Sequence, residues 1–209
     1  ALPIFDPVIT YSVVIGISDY YGMSMDLLNA DDDAVDFYNF LVEHGSERAN
    51  TILLTNSRAN KAAIINSLSL FSKADSNDKI IFFFSGHGYK NGFVPADFNG
   101  MFPLLGHNII RNAFKNSQAG FKLCIADACF SGNIRTDDES NSSDNEGTFD
   151  KDDQIAVFMS SRSYQTSSDG NIFAGNGLFT GYLLKGLFGA ADSNKDSNVT
   201  IYELYIYVR

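Results

Sequence analysis

The chain has 209 residues, 44% of them apolar, and a formal charge of −10 at neutral pH. That length fits one domain with a large core, and the acidic balance disfavours nucleic acid or an anionic membrane as a partner, since phosphate binding needs a cationic surface. A cationic substrate or a divalent cation suits it better. No stretch approaches the roughly 18 uninterrupted apolar residues of a spanning helix, and Ala1-Leu2-Pro3 lacks the basic start of a signal peptide. The first residue is not Met, so a processed form or a piece of a longer chain, including one that has lost a secretion signal, stays open. The two cysteines, Cys124 and Cys129, are five residues apart across an expected strand end, poor geometry for a disulfide. Free thiols imply a reducing compartment, the cytoplasm.

Short apolar runs at Val13–Ile17, Thr51–Leu54, Lys79–Phe84, Lys122–Ala126 and Ile155–Met159 read as buried strands. Helical spacing joins Ala30, Ala34, Phe37, Tyr38 and Leu41, ending at Gly45, and then Ala62, Ile65, Leu68 and Phe71. Further helices are expected near Gly106–Lys115, Leu178–Leu187 and Thr200–Val208. Alternating strands and helices predict an α/β fold, a mainly parallel sheet with helices on both faces. The one compositional break, Arg135 to Asp153, is polar and acidic with nothing to bury.

Two strands end in chemically capable residues. Ile80 to Phe84 runs into Ser85-Gly86-His87-Gly88, and Cys124-Ile125-Ala126-Asp127-Ala128 runs into Cys129-Phe130-Ser131-Gly132. Sites in open α/β sheets form beyond the carboxyl ends of the strands. If these strands are neighbours, a thiol and an imidazole meet there, a pair able to perform acyl transfer. The N–H groups of Gly88 and Cys129 are candidate oxyanion donors. Taken singly, each residue is better explained by packing; the two together are not. His44, His107 and Cys124 read as structural. A rival reading takes Cys129 to Thr136 as the Cys-x-x-Gly-x-x-Arg-Thr loop of a cysteine phosphatase, with Arg135 cradling phosphate. The acidic run beside it would repel that ligand.

The paired His and Cys motifs closely resemble the caspase-like cysteine peptidases, in particular their bacterial metacaspase-like and orthocaspase-like branch. Supporting segments are Ile15-Gly16-Ile17, Leu28 to Ala34, Phe158-Met159-Ser160-Ser161 and Gly177-Leu178-Phe179-Thr180. The resemblance implies one caspase-like peptidase domain over residues 1–209. Within it, residues 1–134 would be the part carrying the dyad, 135–153 an acidic linker or loop, and 154–209 the small-subunit-like part. It further implies a thiol protease that hydrolyses polypeptides through an acyl-enzyme, with Cys129 as nucleophile, His87 as general base and acid, and no metal or other cofactor in the chemistry. Asp127, Ser85 and Asp33 fall at the positions that form an acidic pocket for Arg or Lys in metacaspases. The positions aligned with the aspartate-binding arginines of caspases proper, near Leu27 and Ser168, carry no positive charge. Lys151 and Arg135 would then be self-compatible cleavage sites in a zymogen; the alternative is an uncleaved loop. A catalytically silent interaction module is the other alternative.

Asp192, Asn194, Asp196 and Glu203 stand at positions one, three, five and twelve of a calcium-loop pattern whose sixth position is Ser197 rather than Gly. Calcium binding is one expectation, and an Asx-rich turn capping the helix near Thr200 is the other.

Overall fold

The computed structural model describes residues 6–22, 25–89, 91–100, 104–128, 155–160 and 176–208. Five strands form a parallel sheet in the order β2-β1-β3-β7-β8: β1 (Thr10–Gly16), β2 (Thr51–Thr55), β3 (Lys79–Ser85), β7 (Phe121–Asp127) and β8 (Ile155–Met159). All five coincide with the runs expected from the sequence: β1 starts three residues earlier and stops one short, at Gly16, and the others differ by at most one residue at either end. They were legible because strands covered on both faces read as continuous apolar segments.

The pleat divides those runs between two cores. Val13, Ile15, Phe82, Phe84, Cys124 and Ala126 face one way, packed with Ile64 and Leu68 of α2 (Lys61–Leu68) and Ile110 and Phe114 of α3 (His107–Asn116). Val14, Ile81, Phe83, Leu123, Ile125 and Phe158 face the other. There they meet Phe37 and Leu41 of α1 (Ala30–Glu43), Leu183 and Leu184 of α4 (Leu178–Lys185) and Leu204 of α5 (Ile201–Val208). Alternation with a period of two sends neighbouring residues to opposite layers. The expected helix reaching Leu187 is α helix only to Lys185 and then widens into a π turn, Gly186–Ala190, where Gly189 has φ of +107°. The expected helix through Phe71 likewise tightens into a 3-10 turn, Ser69–Lys73.

A second, three-stranded antiparallel sheet was not anticipated: β4 (Gly88–Tyr89), β5 (Gly92–Phe93) and β6 (Leu105–Gly106). Two-residue strands carry no readable periodicity. This sheet starts directly after His87, and its Phe93 stacks on Phe84 at 4.2 Å between ring centroids, anchoring it to β3. Among the described residues, no helix is long and apolar enough to cross a membrane.

Candidate active site

Strands β3 and β7 are hydrogen-bonded neighbours in parallel register, with Ser85 opposite Asp127. Their carboxyl ends therefore lie side by side, and the Gly86 N–H donates to the Asp127 carbonyl at 3.1 Å to tie them together. His87 follows two residues after Ser85. Cys129 follows two residues after Asp127 in the sequence, but it lies outside the described residues, as do Arg135, Lys151, Ser168 and the acidic segment.

His87 is half-buried and held at two points. Its backbone N–H donates to the Tyr20 hydroxyl at 2.8 Å, and its Nε2 lies 2.6 Å from the Met25 carbonyl oxygen. A carbonyl only accepts, so Nε2 must carry the proton. In the neutral ring the lone pair is then on Nδ1, which is the atom able to take a proton. The Tyr20 ring leans on the imidazole, with centroids 4.8 Å apart and planes at 45°. Beyond His87, the Val94 N–H donates to its carbonyl at 2.9 Å. This bond brackets the Gly88–Phe93 pair, which is the non-bonded kind in an antiparallel ladder, so the ladder does not use the Gly88 N–H.

The three expected pocket residues converge. Asp33 on α1, Ser85 on β3 and Asp127 on β7 are all buried. Ser85 Oγ donates to Asp33 Oδ2 at 2.8 Å. Two further donors, which the sequence reading quoted only as part of a helix-opening motif, complete the cluster. The Gly177 N–H reaches Asp33 Oδ1 at 2.9 Å, and Thr180 Oγ1 reaches Asp127 Oδ2 at 3.1 Å. A Cβ placed on Gly177 would stand 3.1 Å from an Asp33 oxygen and 3.3 Å from one of Asp127, so the two carboxyl groups flank the same point. Burial, and then the charge of Asp127 beside it, push the Asp33 carboxyl up to about 7. Hydrogen bonds from Gly177, Ser85 and Thr180 act in the opposite direction.

The remaining sequence candidates are placed elsewhere. Cys124 is buried in β7. His44 caps the end of α1, its Nδ1 2.7 Å from the Phe40 carbonyl. His107, read as structural, opens α3 and is buried edge-on to Phe93. Glu203 spends both oxygens at home: Oε1 accepts from Ser193 Oγ at 2.8 Å, and Oε2 from the Thr200 N–H at 3.0 Å and Thr200 Oγ1 at 2.8 Å. The Glu203 N–H returns a bond to Thr200 Oγ1 at 3.2 Å, the reciprocal capping box of a helix N-terminus. Asp192 accepts from the Asp196 and Ser197 N–H groups, and Asn194 donates to Asp196. Among the described residues, no group of three or more His, Cys, Asp or Glu side chains is arranged to hold a metal ion.

A parallel sheet with helices on both faces, a histidine at one strand end and a buried acid pair at the adjoining one define the class. The family model of the caspase domain matches residues 10–209, and the chain belongs to that family. No curated protein matches the chain. Among solved structures it is similar to the crystal structure of protein GSU0716 from Geobacter sulfurreducens, at 18% identity and a TM-score of 0.63, over 86% of this chain and 82% of that one. At that identity the likeness speaks to the fold alone.

Proposed function

We propose that this caspase-domain protein is a cysteine endopeptidase that cleaves after Arg or Lys, with Cys129 as nucleophile and His87 as general base and acid. The observation that carries this is His87 at the end of β3, its Nε2 pinned as a donor to the Met25 carbonyl, beside the strand that leads to Cys129. In the first step the Cys129 proton passes to His87 Nδ1 and sulfur adds to the scissile carbonyl. The N–H groups of Gly88 and Cys129 receive the oxyanion. Collapse breaks the C–N bond, and the leaving amine takes the proton from His87. Water then adds to the thioester, giving its proton to Nδ1; the acid departs and the thiol is restored. None of these steps calls for a metal.

Preference for a basic side chain rests on Asp33 and Asp127, because two carboxyl groups at one point favour a guanidinium or ammonium and repel an aspartate. Polypeptides with Arg or Lys before the scissile bond are the partners this implies. Fluorogenic peptides ending in Arg, Lys or Asp test the proposal, with p-nitrophenyl phosphate alongside. Turnover of the Arg peptide should be lost in Cys129→Ala and His87→Ala. Phosphate release that depends on Arg135 would instead favour the phosphatase reading, and silence toward every substrate would favour a non-catalytic interaction module.

A further inference from the structure

The loop between β1 and α1 makes contacts that the proposed chemistry does not by itself require. Tyr20 is 5% exposed, and its hydroxyl accepts the backbone N–H of His87 at 2.8 Å while its ring supports the imidazole. The same oxygen would lie 2.6 Å from a Cβ on Gly86, whose φ is +154°. The chain just before His87 is therefore pressed against the phenol, in a conformation open to glycine. Tyr20 is held in turn: its N–H donates to Asp26 Oδ1 at 3.0 Å, and the Leu27 N–H closes the loop onto the Ser18 carbonyl at 2.9 Å. Burial raises the Tyr20 pKa, so the phenol stays neutral and keeps its acceptor role through the working range of a histidine base.

We propose that Tyr20 is a positioning residue for His87, its hydroxyl fixing the histidine backbone and its ring the imidazole tilt, so that Nδ1 is presented to the nucleophile. This rests on His87 being the base of the proposed reaction. The Met25 carbonyl sets which nitrogen carries the proton; Tyr20 sets where the ring stands. Removing the hydroxyl leaves a part-buried N–H without its acceptor, which favours a shift of the backbone. Displacements near 1 Å in a reacting constellation cost up to about 100-fold in rate.

Two readouts on the full chain separate this role from packing. One is the rate at which iodoacetamide alkylates Cys129 near neutral pH, located by peptide mass spectrometry, which reports thiolate activation without any substrate. The other is the division between kcat and KM on an Arg peptide. Tyr20→Phe should slow alkylation toward the His87→Ala rate and lower kcat about tenfold, with KM and melting temperature little changed. Tyr21→Phe, at an exposed neighbour, should match wild type in both.

Wild-type rates in Tyr20→Phe, with His87→Ala slowed, overturn the positioning role and leave the dyad standing. Equal alkylation of wild type and His87→Ala overturns the dyad, and the role of Tyr20 with it. Slowed alkylation in Tyr20→Phe of a protein that cleaves no peptide would keep the positioning role and remove the peptidase reading. Should Tyr20→Phe melt early, Asp26→Ala, which releases the Tyr20 N–H from an exposed side chain, carries the test. Both rates should fall in it, and unchanged rates count against the proposal.

Discussion

Three consecutive aspartates open α1, and the fold treats each differently. Asp31 turns to Ser18 and to the Asn56 amide, 2.9 Å away, joining the loop after β1 to the end of β2. Asp32 is exposed, a first-turn acid that suits the helix dipole. Asp33 alone points inward, to Ser85 and Gly177. Its pKa, raised from 3.8 to about 7 by burial and by Asp127, has a definite consequence for stability. The folded state holds a proton that the unfolded state has released, so this carboxyl contributes fully below about pH 4, and its contribution is lost as pH rises through 7. His107, lowered to about 4 chiefly by burial, acts oppositely: its contribution is lost as pH falls from 6.5 toward 4. Comparing wild type with Asp33→Asn cancels the histidine. The wild-type melting temperature relative to that variant should decline between pH 5 and 8, and a flat difference would show that Asp33 does not titrate in this range.

At the scale of elements, the segment from Asp192 to Glu203 shows how one pattern of oxygens serves two purposes. The spacing suits a calcium loop, yet the carboxylate at its last position accepts hydrogen bonds from Ser193 and Thr200. Those bonds lower the Glu203 pKa to about 2 and close the loop onto α5. Asx turns at Asn194 and Asp196, together with the Asp196 and Ser197 N–H bonds to Asp192, satisfy the loop's backbone donors. We propose that this loop serves helix capping. Glu203→Ala should lower the melting temperature at neutral pH, since the Ser193 and Thr200 N–H groups ahead of α5 lose their acceptor, and calcium should leave the wild-type value unchanged. A calcium-dependent rise that disappears in an Asp192→Ala, Asp196→Ala double variant would return the loop to metal binding.

For the molecule as a whole, the sheet was readable because its strands are buried on both sides, and the histidine because glycines bracket it at a strand end. The buried acid cluster was readable only as a motif, since Asp33, Ser85 and Asp127 are far apart in sequence and nothing local marks Asp33 against its two neighbours. The Met25 carbonyl and the Gly177 N–H are backbone groups, which leave no signature in residue type, and Tyr20 meets His87 from a loop 67 residues away, so no local pattern marks it. Thr180 escaped because a buried hydroxyl in a helix's first turn looks like a capping residue.

The buried acid cluster also joins parts of the chain on either side of the acidic segment, with Asp33 and Asp127 before it and Gly177 and Thr180 after it. A cut at Arg135 or Lys151 would leave those hydrogen bonds to hold the pieces together. If the protein processes itself, freshly purified wild type should show fragment masses that Cys129→Ala lacks after the same incubation. Identical intact masses would mean the segment is not cut.

We propose a Cys129/His87 dyad serving a pocket for a basic side chain. Its most direct test is kcat/KM for three peptides that differ only in Arg, Lys or Asp before the reporter, measured on wild type and His87→Ala. The expected result is turnover of the Arg and Lys peptides, none of the Asp peptide, and loss of the first two in the variant. Preference for the Asp peptide, or Arg cleavage that survives His87→Ala, would contradict it.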